Sequence, residues 1–291
     1  MISWIEVYRC RRPAQCQELA LVLLALGLDF RVEVDEESHR LLVVLEDAPR
    51  ARFELAEYQA ESATAPEMMV PGAAIKLESV LGYWVVLLVI YNWEVHRTFS
   101  LDWLEMGRLH GELVRQGQWW RPVTALTLHA DAPHLLNNLV FGSFFGLLLR
   151  AELGTGLAWF SILLAGALGN GVNAYLQSPA HLAIGAPTSV FGAIGLLVGL
   201  QWQRYGRGNP RRLRRWAPPI VGAILLGYLG TGGPRTDVVA HICGAVSGGV
   251  LGVLMNLLPR RLSPTGSVQV ALGGATLLLL GLSWAVAVGP G

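Results

Sequence analysis

The chain of 291 residues is 53% apolar and 15% charged and contains 34 glycines, and its mean hydropathy is +0.44. A soluble domain has about a quarter charged residues, and glycine is more frequent in membrane helices than in soluble ones. This composition excludes a disordered chain, a coiled coil and a nucleic-acid-binding protein of the usual basic type.

The charges are distributed unevenly along the chain. Fourteen of the 21 acidic residues lie between Glu6 and Glu78, whereas the 139 residues after Glu152 contain a single acid, Asp237. A water-exposed surface of that length would rarely have so few carboxylates. The sequence therefore predicts a soluble N-terminal module followed by a polytopic membrane domain.

The N-terminal module shows the periodicities of three strands and two helices. The predicted elements are a strand at 3–10, a helix at 13–28, a hairpin from 30–35 and 41–46, and a helix at 51–61. The order β-α-β-β-α predicts a small cytosolic α+β domain of the ferredoxin-like type at 1–62. A linker rich in proline and glycine follows at 63–76.

Seven apolar segments follow, most of them near the roughly 20 residues that cross a bilayer. They lie at about 77–95, 134–152, 156–177, 187–203, 217–231, 237–258 and 268–288. The first six predict a helical membrane domain at 77–258. Residues 259–291 then form a basic loop and an additional seventh transmembrane helix.

Arginines predict the orientation of these segments. Six arginines lie in the loop 201–216 and two in 259–261, whereas the loop 177–186 has no formal charge when His181 is neutral. By the positive-inside rule the arginine loops are cytosolic. The N-terminal module is then cytosolic and the C-terminus external, and spans two, four and six all begin near the outer surface.

Polar residues occur in the first turn of each of these three spans. Span two contains His134 and Asn138, span four begins at Pro187, and span six begins with Asp237 and His241. Polar groups at membrane depth are costly and are functional candidates by default. A hydrogen bond between packed helices is the alternative for any one of them.

Four motifs in these regions resemble those of the rhomboid intramembrane serine proteases. They are Trp120–Arg121, the spacing of His129, His134 and Asn138, the stretch GAPTSVFGAIG at 185–195, and AHICGAVSG at 240–248. The resemblance covers about residues 77–258. It implies a six-helix bundle that cleaves transmembrane-helix substrates with a Ser-His dyad.

The resemblance also implies roles for individual residues. It gives His241 as the general base of the dyad and Phe191 as the aromatic ring that stacks on it. His134 and Asn138 would supply donors to an oxyanion. The motif containing Trp120 and Arg121 is expected to anchor the first external loop at the membrane interface rather than take part in chemistry.

Glycines near these residues predict close contact between spans four and six. Gly244, Gly248 and Gly252 recur every four residues, and small residues at that spacing let two helix backbones approach. Such an approach would bring His241 within reach of a group on span four, although generic packing accounts for the same spacing. Gly185 belongs to the family's motif ahead of span four.

The sequence departs from the family at the nucleophile, because the aligned position is Pro187 rather than serine. Proline has neither a hydroxyl to attack nor a backbone N–H to hold an oxyanion, although it is favoured at the first position of a helix. Thr188 and Ser189 carry hydroxyls, but they point about 100° and 200° away from the direction of residue 187. Capping and packing are their alternative roles.

Asp237 precedes His241 by four residues. Two roles remain open for it. It orients the histidine, or it caps the sixth helix as a favourable charge at the N-terminus.

The sequence therefore predicts an inactive or impaired rhomboid in a bacterial inner membrane, which binds transmembrane helices of client proteins without cutting them. The alternative is an active protease that uses Thr188 or Ser189. A transporter or channel ranks last, because the polar residues cluster only at the outer helix ends. The three cysteines (Cys10, Cys16 and Cys243) predict neither a disulfide framework nor a metal site, and we expect no cofactor and no nucleic-acid partner.

Overall fold

The computed structural model describes residues 3–10, 13–35, 38–64, 78–206, 216–230, 237–257 and 266–289. The chain divides into two compact units, Met1–Met68 and Met69–Gly291. Most of the predicted linker 63–76 lies outside the described residues.

The N-terminal unit is a three-stranded antiparallel sheet with two helices. Its elements are β1 (Trp4–Cys10), α1 (Pro13–Ala25), β2 (Phe30–Val34), β3 (His39–Val44) and α2 (Ala48–Thr64). The central strand β3 pairs antiparallel with both neighbours. β1 and β2 therefore run in the same direction on either side of β3.

Alternation along β3 separates a core face from a charged face. Leu41 and Val43 are fully buried in one cluster with Leu23 of α1 and Leu55 of α2. Charged residues mark the other face, where the Arg31 guanidinium lies 4.2 Å from the centre of the Trp4 ring. A half-buried sheet of this kind needs its helices on one side only.

The elements of this unit follow the predicted order, with α2 longer than the predicted helix 51–61 at both ends. The part of the unit that the structure describes contains three strands. A ferredoxin-like sheet has a fourth, so that assignment stays a prediction.

The second unit is helical. Its helices are α3 (Glu78–Val95), α4 (Trp103–Gly107), α5 (Gly111–Arg115), α6 (Arg121–Thr124), α7 (Ala132–Leu153), α8 (Thr155–Leu176), α9 (Pro187–Gly206), α10 (Ala217–Gly230), α11 (Val238–Leu257) and α12 (Gly266–Val288). The short strands β4 (Leu109–His110) and β5 (Leu182–Ala183) pair with each other. Within the described residues, the long helices coincide with the seven predicted apolar segments to within a few residues.

Four of these helices, α7, α8, α11 and α12, are long and apolar enough to cross a membrane by themselves. Shorter apolar helical stretches lie at Pro187–Trp202 in α9 and Ala217–Tyr228 in α10. The total of six spans plus one stays a prediction. The arginine clusters that predict the orientation lie outside the described residues, except for the helical backbone at Arg204.

Glycines allow α9 and α11 to pack backbone against backbone. Each of three glycines on α11 faces a carbonyl oxygen of α9 so closely that a Cβ atom would overlap it. The pairs are Gly244 with Thr188, Gly248 with Gly192, and Gly252 with Leu196. We call this contact the glycine seam. It realises the close approach that the four-residue spacing predicts.

The seventh long helix, α12, is fixed to the bundle at both ends. Near its start, the Gln269 side chain accepts from the Leu157 amide at 3.0 Å and donates to the Leu153 carbonyl at 2.7 Å. Near its end, Trp284 Nε1 donates to Thr127 Oγ1 at 3.1 Å. α12 is therefore an integral part of the second unit.

Candidate functional site

His241 lies on the first turns of α11, where it faces α9. Its ring stacks on Phe191 with a centroid distance of 4.5 Å and an interplanar angle of 28°. Both rings are buried. Phe191 lies one helical turn after Pro187, so the two residues share a face of α9. The stack therefore places the imidazole beside the face of α9 that begins at Pro187.

Pro187 is the first residue of α9 and is half-buried. The turn before it depends on Gly185, whose φ of +110° favours glycine. The Gly185 amide donates to the Ala125 carbonyl at 2.8 Å, which joins this turn to the buried segment after α6. The Gly185 turn and its hydrogen bond thus fix the position of residue 187 at the start of α9.

His134 lies against this turn from α7. Its imidazole occupies the space that a side chain at residue 185 would need, and the Pro187 ring borders the same space. The helix start that carries His134 is capped by Asp131, whose Oδ1 accepts the His134 amide at 2.7 Å. The structure therefore brings His134 and Pro187 together.

Asn138 lies one turn further along α7 and is buried. Its side-chain amide donates to the His134 carbonyl at 3.0 Å, which uses one of its two amide hydrogens. The backbone carbonyl of Asn138 accepts a hydrogen bond from Tyr83 Oη of α3 at 2.7 Å. α3 thus helps to fix the turn of α7 that carries both polar residues.

The two neighbouring hydroxyl residues, Thr188 and Ser189, are buried and pack against α8. Ser189 Oγ lies beside Gly166, and the Thr188 methyl lies between Gly169 and Gly244. Both positions agree with the rotation away from residue 187 that the helical repeat predicts. Their side chains serve the packing of α8, α9 and α11.

Asp237 precedes the first residue of α11 and caps it, because its Oδ1 accepts the Ala240 amide at 3.0 Å. Its Oδ2 lies 2.7 Å from His181 Nε2 and accepts from Asn173 Nδ2 at 2.9 Å. Gln177 Nε2 donates to Oδ1 at 3.3 Å. Of the two open roles, the structure shows the cap and adds a polar cluster with His181.

The environment of Asp237 lowers the pKa of its carboxyl. Burial raises the pKa, but the hydrogen bonds from the Ala240 amide, Asn173 and His181 outweigh it and hold the pKa below the ordinary value of 3.8. The carboxylate is therefore charged at neutral pH. Sequence reasoning gave His181 no role. A signal for this role was present in the sequence. Asp237 is the one acid after Glu152 and needs a partner, and His181 is the titratable residue of the loop 177–186.

Arg121, the first residue of α6, and His129, in the segment between α6 and α7, are both buried. Burial lowers the pKa of His129 to about 3, and the neighbouring His134, whose ring centre lies 5.2 Å away, adds to this. Arg121 donates to the Glu105 and Arg108 carbonyls at 3.1 and 2.7 Å. Arg121 therefore ties α6 to the backbone of the preceding loop, and the anchoring of that loop at the membrane interface stays a prediction.

Among the described residues, no group of three or more histidine, cysteine or acidic side chains is arranged to hold a metal ion. Cys10, Cys16 and Cys243 are buried free thiols.

Comparison with known proteins gives a consistent result. The family model of the rhomboid domain matches residues 116–257, a range that contains every residue of the site. RHOMBOID-like protein 7 of Arabidopsis thaliana is 30% identical over 161 residues, which cover 54% of this chain and 49% of that protein. Rhomboid-like protease 1 of Toxoplasma gondii is 29% identical over 157 residues, which cover 53% of each chain.

A third relative, Rhomboid-like protein 11, chloroplastic, of Arabidopsis thaliana, is 27% identical over 187 residues and is covered to 66%. The chain thus spans about half to two thirds of the length of these relatives. Together with four helices among the described residues that are long and apolar enough to cross a membrane, the matches support the rhomboid family and a membrane location for this chain.

Proposed function

We propose that this protein is a proteolytically inactive or impaired rhomboid that binds transmembrane helices of client proteins. One observation supports this above the others: the Phe191 ring stacks on His241 at 4.5 Å, one turn after Pro187, the residue that the family resemblance aligns with the nucleophile. The surrounding site retains the residue types of the family, while the attacking group is absent.

The loss at residue 187 affects two steps of the family's chemistry. Without a hydroxyl no acyl-enzyme forms, and removing the nucleophile of a serine protease lowers kcat by about 10⁶. Without a backbone N–H one oxyanion donor is absent, which lowers kcat by about 10² to 10³. His241 is then a general base with no proton to accept from residue 187.

The remaining polar groups provide the contacts of the proposed binding site. In this proposal His134 and one amide hydrogen of Asn138 face a carbonyl of the client backbone and hold it by hydrogen bonds. Pro187 and Phe191 form the adjoining wall, and Gly185 gives His134 the room to lie there. Gly244 and Gly248 support the site by keeping α9 and α11 in backbone contact.

The alternative function is a protease that uses Thr188 or Ser189. The burial of both residues, at 4% and 8% exposure, disfavours it. Ser189 Oγ lies beside Gly166 and the Thr188 methyl lies between Gly169 and Gly244. The rotation of both residues away from the direction of residue 187 also disfavours it.

The family acts on transmembrane substrates within the bilayer, so clients with a helix in the membrane are the partners we propose, with lipid on the remaining surface. The arginine distribution supports a cytosolic N-terminal unit and an external C-terminus, and a bacterial inner membrane is the location we propose. We propose no cofactor and no metal.

A cleavage assay with a fluorogenic transmembrane substrate in liposomes tests this function. The native chain should release no product above that of its His241→Ala variant. The same substrate, labelled for energy transfer, should still bind the native chain. Cleavage by the native chain that His241→Ala abolishes would contradict the proposal, and Thr188→Val and Ser189→Ala would then identify the nucleophile.

A further inference from the structure

The polar cluster around Asp237 joins the two chain segments that build the site. His181 lies on the loop that leads through β5 and Gly185 into Pro187. Asp237 lies at the start of α11, one turn before His241. Their side chains meet at 2.7 Å, between Nε2 and Oδ2.

The loop that carries His181 is fixed to the rest of the unit by backbone hydrogen bonds. β5 pairs with β4, with Leu109 opposite Ala183. The Gly111 amide donates to the His181 carbonyl at 3.0 Å. His181 therefore offers Asp237 a partner whose own position is set independently of α11.

Asp237 is in turn fixed to the backbone of α11, because its Oδ1 caps the Ala240 amide. Asn173, which is fully buried on α8, holds the other carboxylate oxygen at 2.9 Å. The side chains of Asp237 and His181 are only 19% and 20% exposed, so water competes weakly for this contact. The seam sets the distance between α9 and α11, but a stripe of small residues alone does little to stop α11 from sliding along it.

We infer that Asp237 and His181 are positioning residues, which hold the first turn of α11 so that His241 stays level with residue 187. The inference rests on the proposed function for the placement of the site. It assigns the pair no contact with a client. Their effect passes through the α11 backbone to the imidazole.

A thiol placed at residue 187 reports on this alignment without any need for proteolysis. In the full-length Pro187→Cys variant, a protonated imidazole nearby lowers the pKa of the thiol. The rate of alkylation by iodoacetamide against pH gives that pKa, and peptide mass spectrometry reads position 187 separately from the natural cysteines. His241→Ala in this background should return the thiol pKa to its ordinary range.

His181→Gln and Asp237→Asn, each added to Pro187→Cys, should move the thiol pKa towards that of the His241→Ala variant, with alkylation at pH 7 slowed at least threefold. Asparagine is an N-cap as good as aspartate, so Asp237→Asn keeps the helix start. His110→Gln is the matched control, because His110 pairs with the same loop at Leu182 and should leave the thiol unchanged. A change in the folded fraction alone scales the rate at every pH and does not move the pKa.

The outcomes separate the two claims. If His241→Ala shifts the thiol pKa but His181→Gln and Asp237→Asn do not, the positioning role is wrong and the proposed site stands. If His241→Ala itself leaves the thiol pKa unchanged, His241 does not face residue 187, and the proposed site fails together with the inference.

Discussion

Along the glycine seam the backbones of α9 and α11 touch with no side chain between them, whereas the core of the N-terminal unit is filled with leucine and valine side chains. In the glycine seam, backbone carbonyls lie directly against Gly244, Gly248 and Gly252. In the N-terminal core, Leu23, Leu41 and their neighbours lose all contact with solvent. The seam depends on glycines, which lack side chains, and the N-terminal core depends on large apolar side chains.

This difference predicts opposite sensitivities to mutation. Adding a side chain to the seam forces two backbones apart, and backbone cannot relax as a side chain can. Removing a side chain from the N-terminal core leaves a cavity that costs both transfer energy and lost contacts. The second unit should therefore tolerate almost no added side chain in the glycine seam.

The largest effect is expected from Gly248→Val. Its side chain would overlap the Gly192 carbonyl, and we expect a loss of more than about 3 kcal/mol of stability. Gly273→Val on α12 is the control, because a Cβ there meets nothing within 4 Å. Thermal unfolding and size-exclusion chromatography in detergent measure both. Equal tolerance of the two changes would refute the seam as a backbone contact.

The next effect tests the N-terminal core with two leucines of the same helix. Leu23→Ala removes a side chain with 0% exposure and should cost about 2 to 5 kcal/mol. Leu21→Ala removes one that is 64% exposed and should change stability by less than about 0.5 kcal/mol. Hydrogen exchange of peptides from residues 13–64 in the full-length chain measures the difference. Similar exchange in both variants would mean that the face of α1 containing Leu23 is not the one that packs in the core.

A smaller effect concerns Asp237 and pH. Because its pKa is lowered in the folded chain, the carboxylate contributes stability that is complete above the ordinary value of 3.8 and is lost as the pH falls through the lowered pKa. Asp237→Ala should cost about 1 to 3 kcal/mol at pH 7, because the cap is lost and Asn173 is left without its acceptor. Asp237→Asn should cost less and should remove this acid-dependent component. Thermal unfolding from pH 3 to pH 7 is the measurement. An identical pH profile in the native chain and Asp237→Asn would show that the carboxylate is not stabilised in this way.

The smallest effect is expected on the charged face of the N-terminal sheet. Arg31 lies over Trp4 at 4.2 Å, and exposed pairs of this kind contribute about 0.5 to 1 kcal/mol. Arg31→Ala should therefore raise hydrogen exchange in β1 and β2 slightly, and Arg31→Lys should raise it less. A change as large as that of Leu23→Ala would mean that this face carries a second core.

The sequence predicted the features that depend on local pattern. Hydropathy placed the long helices of the second unit within the described residues. The four-residue spacing of Gly244, Gly248 and Gly252 predicted the seam, because a helical repeat aligns such residues on one face. The stacking of Phe191 on His241 followed from the family resemblance. α2 was underestimated because its ends lack the apolar periodicity on which the prediction depended.

The features that the sequence did not predict depend on contacts between distant residues. Asp237 and His181 are 56 residues apart in the chain, and no local sequence pattern predicts a contact over that separation. The contacts of Arg121 with the Glu105 and Arg108 carbonyls were missed because these acceptors belong to the backbone, which any sequence supplies. The anchoring of α12 by Gln269 and Trp284 was missed for a related reason. A single polar residue in an apolar helix gives no indication of which distant residue it contacts.

The most direct test of the central claim is the Pro187→Ser variant, assayed in liposomes for cleavage of a fluorogenic transmembrane substrate and for labelling by a fluorophosphonate. If the rest of the site retains its geometry, this single change should give measurable cleavage and a fluorophosphonate adduct at position 187, and adding His241→Ala should abolish both. The native chain should show neither. Cleavage by the native chain, or a Pro187→Ser variant that folds, binds substrate and is still neither labelled nor active, would contradict the account.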